Sequence, residues 1–208
     1  GRRLMGALST RTVVIVDQGA PEEEWMDARA EGVTASEIHA VAAGSRKTHR
    51  RILDEKLNGA TFTGNAHTRR GHEREAIILA EARLIDGVIE LTGSNALFGA
   101  EENPLHRATP DGVGRHATRG LFGFEGKSHD AGWDRDTVPP DHFDQCQWGM
   151  YVYGVDWWLY AWAVEGVPGI RNAWIPRDDF RIDHLAQQAD LFLEWRAAGA
   201  PEADEDRK

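Results

Sequence analysis

Glu125 and Lys127 have the residue types and the spacing of a site that binds a metal ion and activates a water molecule. They are two residues apart in the alternating segment LFGFEGK (121–127), which predicts a strand. Alternate residues of a strand share a face, so the two side chains lie about 6.6 Å apart along it. Because burying an acid and a base costs free energy, this pairing is either an exposed salt bridge or a site with a metal and a bound water between carboxylate and amine.

A second acid-x-Lys triplet, Asp54-Glu55-Lys56, shows that the triplet alone carries little information. It lies in a helical pattern, where positions two apart do not face each other and cannot hold one ion. Only the triplet at 125–127 has the required geometry.

Asp111, in the segment TPDGV, precedes Glu125 by fourteen residues. A hairpin that places these residues opposite each other must turn at residue 118, and the turn-like segment GRHATRG spans 114–120. Two carboxylates a few Å apart repel each other unless a cation lies between them or one is protonated. We therefore expect a hard divalent cation, and Mg²⁺ suits carboxylate and carbonyl oxygens while keeping positions for phosphate and water.

The elements that must position these residues change from helical to β along the chain. Helices are predicted over 34–44, which opens with the capping-box spacing of Thr34 and Glu37, and over 50–59 and 69–85. Short strands in a meander are predicted over 87–93, 95–100, 106–113 and 121–127. A helix over 139–154, a central strand over 155–164 and a last helix from Asp179 follow. The order predicts an α/β (α+β) fold with a mixed central sheet flanked by helices.

Length, charge and composition bound the function classes. The 208 residues predict one domain over 21–198, with an N-terminal extension at 1–20 and a flexible acidic tail at 199–208. A net charge of −10 disfavours a nucleic-acid-coating basic surface but leaves room for a locally basic groove. The single Cys146 excludes an intramolecular disulfide and a Cys-based zinc site. No run approaches the roughly 20 apolar residues of a membrane span, so we expect a soluble intracellular protein.

Several motifs together resemble one nuclease branch. TPDGV followed by FEGK resembles the PD-(D/E)xK signature of restriction-endonuclease-like nucleases. Five fragments occur in the order typical of lambda-type phage exonucleases, also called YqaJ-like viral recombinases. They are W-x-x-x-R-x-x-G-V-T-A-S-E-I (25–38), R-G-x-x-x-E (70–75), P-D-G (110–112), E-x-K (125–127) and Q-x-Q-x-x-M-x-V (145–152). The resemblance implies a restriction-endonuclease-like core.

The resemblance also implies roles for the candidate site residues. Asp111, Glu125 and the carbonyl of Gly126 would hold catalytic Mg²⁺, for which Mn²⁺ can substitute. Glu75 would reach a second ion or its water shell. Lys127 would orient and activate the attacking water, and Gln145 would fix that water or the lysine. Two ions would stabilise the attacking and leaving oxygens at phosphorus.

The amino-terminal motifs imply contacts with DNA. Ser36 is expected in the first turn of the capped helix, where free N–H groups favour an anion. Together with Arg29 it resembles the family's pocket for a 5′-phosphate at a duplex end. Arg46 and Lys47 would face the DNA. The apolar wedge that the family places shortly before RGHERE is not apparent, since Thr68 and Arg69 stand near that position.

The activity implied by the resemblance is a 5′-to-3′ exonuclease that starts at double-stranded DNA ends, releases 5′-mononucleotides and leaves a 3′ single strand. It also implies a ring-shaped homotrimer, a single-strand annealing protein as partner, and a phage- or prophage-encoded protein in the cytoplasm of a bacterial host. A ring would reconcile an acidic chain with a DNA substrate, because the basic residues would face the channel.

Two other functions remain open. One is a DNA-end-binding recombination scaffold that has lost catalysis, against which the complete set of acids and lysine argues. The other is a carbohydrate-active hydrolase, suggested by eight tryptophans, several of them in VDWWLYAW. Alternation puts those rings on both faces of one strand, which favours core packing. Single residues also have simpler interpretations: Asp111 as a turn former, Glu75 as a solvated helix acid, and Thr34 with Glu37 as a cap.

Overall fold

The structure, a computed structural model, describes residues 12–58 and 66–201, with only the backbone described for 66–73. The helices are α1 (Glu22–Glu31), α2 (Ile38–Ala43), α3 (Arg46–Asn58), α4 (Ala66–Ala82), α5 (Pro140–Tyr153) and α6 (Asp179–Ala197). The strands are β1 (Thr12–Val16), β2 (Val33–Thr34), β3 (Val88–Gly93), β4 (Leu97–Ala100), β5 (His106–Ala108), β6 (Gly112–His116), β7 (Gly120–His129), β8 (Trp157–Val164) and β9 (Arg171–Pro176). The predicted α+β class is confirmed.

A five-stranded mixed sheet forms the centre, in the order β3-β6-β7-β8-β9. Its strands pair antiparallel except for β7 and β8, which run parallel and are joined by the crossover helix α5. Helix α4 packs on one face with Ile78 and Ala82 against Phe122 and Phe124 of β7. Helix α5 packs on the opposite face, where β8 contributes aromatic side chains. The expected mixed sheet flanked by helices is therefore present.

The prediction of one continuous meander is wrong, because β4 and β5 leave the central sheet. They join β1 and β2 in a second, four-stranded sheet of order β1-β4-β5-β2. The predicted strand 106–113 is accordingly split between two sheets at Thr109–Asp111. Strand β1, which lies in the segment predicted as an extension, pairs antiparallel with β4.

Helix α2 starts later than the capping-box spacing predicts. Its N-cap is Glu37, and Thr34 belongs to β2, which pairs in parallel with β5. Only half of the box forms: the Thr34 N–H donates to Glu37 Oε1 at 2.9 Å. Ser36 therefore lies in the turn before α2, and its predicted position in the first helical turn is wrong. Its contact with a phosphate stays a prediction.

The aromatic strand β8 is an interior strand with apolar residues on both faces, as predicted. Trp158, Tyr160 and Trp162 pack in the cluster under α5, whereas Leu159 and Ala161 pack in the cluster under α4. The tryptophans of this strand are thus core residues, which removes the basis of the carbohydrate-hydrolase alternative. No helix among the described residues is long and apolar enough to span a membrane.

Candidate active site

The β6–β7 hairpin brings Asp111 and Glu125 together, as the turn signals predict. The register pairs Gly112 with Phe124 and His116 with Gly120, so the hairpin turns about residue 118 and Asp111 lies opposite Glu125. The Asp111 N–H donates to Phe124 O at 3.1 Å. The Asp111 side chain in turn accepts the Gly126 N–H on Oδ2 at 2.9 Å. This contact fixes the carboxylate beside the strand that carries Glu125.

Strand alternation places Glu125 and Lys127 on the face covered by α5. Gly126, between them, faces α4, because a Cβ built on it would lie 3.4 Å from Ile78 Cγ2. Lys127 Nζ lies 2.6 Å from Glu125 Oε1. Gln145 of α5 donates from Nε2 to the same oxygen at 2.6 Å. Lys127 and Gln145 thus meet at one carboxylate oxygen of Glu125, a residue that is only 4% exposed.

The electrostatics of the site are those of two acids held together. Burial, and then the charge of Glu125, raise the pKa of Asp111 well above its ordinary value. Burial lowers the pKa of Lys127, but the charge and hydrogen bond of Glu125 outweigh burial and raise it overall. Lys127 is therefore held as an ammonium that can donate hydrogen bonds. The strain between Asp111 and Glu125 is relieved by a proton or by a cation.

The donor set fits a hydrated divalent cation. Mg²⁺ is usually bound through one or two carboxylates together with waters and phosphate oxygens, rather than by a complete protein cage. Among the described residues, neither Asp111 Oδ1 nor Glu125 Oε2 takes part in a hydrogen bond, so one oxygen of each acid is available. No group of three or more His, Cys, Asp or Glu side chains within the described ranges has metal-binding geometry. The two available carboxylate oxygens fit an ion that completes its coordination with water and phosphate oxygens.

Glu75 is more exposed than Asp111 and Glu125. It lies on α4, one turn before Ile78, and its side chain is exposed. Its negative charge nevertheless contributes to the raised pKa of Asp111, so it faces the same region. This position is compatible with the predicted contact to a second ion or its water shell, which stays a prediction.

A pocket of about 210 Å³ connects the acids to the predicted phosphate-binding residues. Asp111, Glu125 and Gln145 line it together with Arg29 and Ser36. Arg29 Nη2 donates to Ser36 Oγ at 2.6 Å, which positions the guanidinium within the pocket wall. The two halves of the predicted site are thus adjacent.

Four lining residues were not predicted as pocket residues, and two of them, Trp25 and Thr109, carry polar side-chain atoms that face no protein partner among the described residues. Trp25 and Arg29 are four apart on α1, so they share a helix face, with the Arg29 guanidinium carbon 5.2 Å from the Trp25 ring centroid. Trp25 Nε1 and Thr109 Oγ1 are buried without a hydrogen-bond partner among the described residues. In the sequence, Thr109 could have been identified as a site residue because it comes two residues before Asp111, in the segment TPDGV. Both atoms could donate to a bound anion.

Arg46 and Lys47 lie apart from this pocket, at the exposed start of α3. The Arg46 guanidinium carbon is 5.1 Å from the Trp195 ring centroid. Their predicted contact with DNA stays a prediction. The side chains of Thr68, Arg69 and Arg70, near the expected wedge, lie outside the described residues.

The remaining predictions concern residues assigned no role. The rival triplet 54–56 lies in helix α3 as expected, with Glu55 paired to Arg51 and Lys56 to Glu37. Cys146 is fully buried beside the site, and burial raises the pKa of its thiol, so it is a packed residue as predicted.

The fold and the sequence are similar to those of known proteins. The YqaJ-like viral recombinase domain family matches residues 24–156. The alkaline exonuclease LHK-Exo from Laribacter hongkongensis is 24% identical, with a TM-score of 0.67 over 85% of this chain and 93% of that one. Its complex with dAMP is 23% identical, with a TM-score of 0.69 over the same shares. A phage-related exonuclease from Haemophilus somnus 129PT is 15% identical, with a TM-score of 0.57 over 82% and 96%. No curated protein matches the chain.

Proposed function

Because the chain belongs to the YqaJ-like viral recombinase family, we propose that it is a Mg²⁺-dependent nuclease that degrades double-stranded DNA from its ends. It hydrolyses one strand in the 5′-to-3′ direction, releases 5′-mononucleotides and leaves a 3′ single-stranded overhang. The fold that it shares with alkaline and phage-related exonucleases supports the same chemistry.

One observation carries this proposal: the hairpin holds Asp111 and Glu125 opposite each other, and Lys127 and Gln145 both contact Glu125. A carboxylate pair with a raised Asp111 pKa favours cation binding. Bound Mg²⁺ would supply Lewis acidity and neutralise charge at the phosphorus, which two ions do most completely. Asp111, Glu125 and the Gly126 carbonyl would hold the ion, and Glu75 would approach from α4.

Lys127 acts on the attacking water and on the phosphate, and Gln145 positions Glu125. Lys127, held as an ammonium, donates hydrogen bonds that orient the attacking water and stabilise the negative charge that develops at the phosphate. Gln145 holds the shared oxygen of Glu125 and thereby fixes the distance between the acid and the lysine. Neither residue needs to accept a proton in order to do this.

The pocket beside the acids suits a terminal phosphate. A 5′-phosphate would accept hydrogen bonds from Arg29 and Ser36, and from the unpartnered Thr109 Oγ1 and Trp25 Nε1. A guanidinium and a phosphate form strong charge-assisted hydrogen bonds. With its end held there, the strand would place its first phosphodiester near Asp111 and Glu125, which line the same pocket. Release of mononucleotides follows from this short separation.

Family membership supports three further expectations. The protein assembles as a homotrimeric ring around DNA, with Arg46 and Lys47 facing the channel. It hands its 3′ overhang to a single-strand annealing protein. It is encoded by a phage or prophage and acts in the cytoplasm of a bacterial host.

The test is the product formed from a linear duplex labelled at a phosphorylated 5′ end. We expect labelled 5′-mononucleotide as the first product with Mg²⁺ and no product with EDTA. Product that is first released from the 3′ end, or internal cutting of a circular duplex, would contradict the polarity. Tight binding to ends without any hydrolysis would instead identify a scaffold that has lost catalysis.

A further inference from the structure

We propose that Arg135 binds the backbone phosphates of the strand being cut, on the 3′ side of the bond that is hydrolysed. The inference rests on the proposed function and concerns the loop 130–139, which joins β7 to α5 immediately beyond the catalytic lysine. It extends the site in the direction opposite to the pocket that contains Arg29.

The direction follows from the strand that carries the site. Glu125, Lys127 and His129 alternate along β7 and therefore share the face toward α5. The pocket for the 5′ end reaches Glu125 and Gln145, and His129 is not part of its lining. His129 lies two residues beyond Lys127 on β7, which corresponds to about 6.6 Å along the strand. A strand that enters from the pocket and passes Lys127 next meets His129 and the loop behind it.

That loop presents an ordered stack of side chains. The rings of His129 and Trp133 are parallel within 3°, with their centroids 3.7 Å apart. The Arg135 guanidinium carbon lies 5.3 Å from the Trp133 ring centroid. A cation held over an indole face in this way loses little further conformational freedom when it binds an anion. The lysine charge reaches this cluster, since burial and then Lys127 lower the pKa of His129.

The Arg135 guanidinium can bind an anion, although its two chain neighbours are aspartates. It is exposed, and it forms no ion pair with any residue in the described ranges, even though Asp134 and Asp136 flank it. Asp136 is instead paired with Arg171 at 2.8 Å. In contrast, Arg74, which also approaches β7 at Ser128, is paired with Glu165 at 3.0 Å. In a chain of net charge −10, an unpaired guanidinium beside the catalytic face indicates a phosphate contact.

The test measures binding of a 5′-phosphorylated duplex to Arg135→Ala over a range of salt concentrations. We expect affinity to fall about five- to tenfold, as for one exposed charge-assisted hydrogen bond. The slope of log affinity against log salt should decrease by about one. Arg135→Lys should keep the salt slope but only part of the affinity. The matched control is Arg115→Ala, which removes an equal charge from an exposed residue near the turn end of the β6–β7 hairpin. Its affinity and its salt slope should equal those of the wild type.

The placement is tested by neutral methylphosphonate linkages in the DNA. Replacing the second or third linkage of the cut strand should weaken wild-type binding and have little additional effect on Arg135→Ala. Additive losses, or sensitivity only to linkages in the complementary strand, would overturn the placement. Unchanged affinity and salt slope in Arg135→Ala would overturn the contact itself. Because these are binding measurements, they decide the inference even if the wild-type protein fails to hydrolyse DNA, which would overturn the proposed function instead.

Discussion

Asp111 and Glu125 lie opposite each other at the open end of the β6–β7 hairpin, one register position beyond the pair formed by Gly112 and Phe124. The Gly126 N–H anchors the first acid, and Lys127 and Gln145 converge on the second. Gly126 lies between the two site residues of β7 and faces α4, where a Cβ would lie 3.4 Å from Ile78 Cγ2. The hairpin register is therefore the structural basis of the site.

Replacement of Lys127 by alanine is expected to lower kcat about 10²–10³-fold, the loss typical of one donor that stabilises transition-state charge. Affinity for duplex DNA should stay within a few fold, because the ammonium is already paired with Glu125 at 2.6 Å. Single-turnover hydrolysis and equilibrium binding separate the two effects. Substantial hydrolysis by Lys127→Ala would exclude the assigned role.

Replacement of Arg29 by alanine is expected to remove the preference for phosphorylated ends. The wild type should degrade a 5′-phosphorylated duplex about tenfold faster than a 5′-hydroxyl duplex, because the guanidinium pairs with the terminal phosphate. The control is Arg51→Ala on α3, which removes an exposed arginine paired with Glu55. Equal rates of the wild type on both ends would eliminate the phosphate pocket.

Asp144 is expected to stabilise the fold in a pH-dependent way. Burial raises its pKa, but hydrogen bonds from Arg181 and His39 outweigh burial and lower it overall. Arg181 binds it through two nitrogens, at 2.7 and 2.6 Å. Asp144→Asn should therefore reduce the free energy of unfolding by about 2 kcal/mol near pH 7.

The sign of the pH effect follows from the lowered pKa of Asp144. In the unfolded protein Asp144 titrates with the ordinary pKa of 3.8, whereas in the folded protein its pKa is lower. The stabilisation is therefore complete above the unfolded pKa and is lost as pH falls through the folded pKa. Urea titrations at several pH values should show a constant difference between wild type and Asp144→Asn above about pH 5 that shrinks toward pH 3. A difference that grows on acidification would contradict this account.

Gly149 is expected to be irreplaceable even though it lies within helix α5. Alanine favours a helix over glycine by about 1 kcal/mol, but a Cβ at 149 would lie 2.5 Å from Trp158 Cη2. Gly149→Ala should therefore lower the free energy of unfolding by the roughly 1–3 kcal/mol typical of overpacking, measured by urea titration. The double variant with Trp158→Phe frees space and should lose less stability than the two single changes sum to. Stabilisation by Gly149→Ala alone would show that the indole can move aside.

The sequence predicted the β6–β7 hairpin and the facing positions of Asp111 and Glu125 because local signals define them. The turn segment 114–120 and the alternation around Glu125 fix the register without reference to the rest of the fold. The family resemblance drawn from the motifs is confirmed by the match over 24–156. These signals needed no knowledge of long-range packing.

Long-range pairing decided the features that the sequence did not predict. Strand β4 pairs with β1 and strand β5 pairs with β2, and nothing local in the short segments of β4 and β5 distinguishes one sheet from another. Helix α1 has acids in its first turn but no buried residue, so it lacks the apolar stripe from which a helix is recognised. Parallel pairing with β5 held Val33 and Thr34 in a strand and delayed α2 to Ile38. The pocket wall formed by Trp25 and Thr109 depends on all of these elements.

The Mg²⁺ dependence of duplex hydrolysis by the wild type and by Asp111→Asn tests the central claim most directly. We expect no hydrolysis in EDTA, and for Asp111→Asn a half-maximal Mg²⁺ concentration at least about tenfold above that of the wild type, a loss typical even of outer-shell changes. Asp54→Asn, an exposed acid of the helical triplet, should behave as the wild type. An Asp111→Asn variant with wild-type Mg²⁺ dependence would contradict a cation held between Asp111 and Glu125.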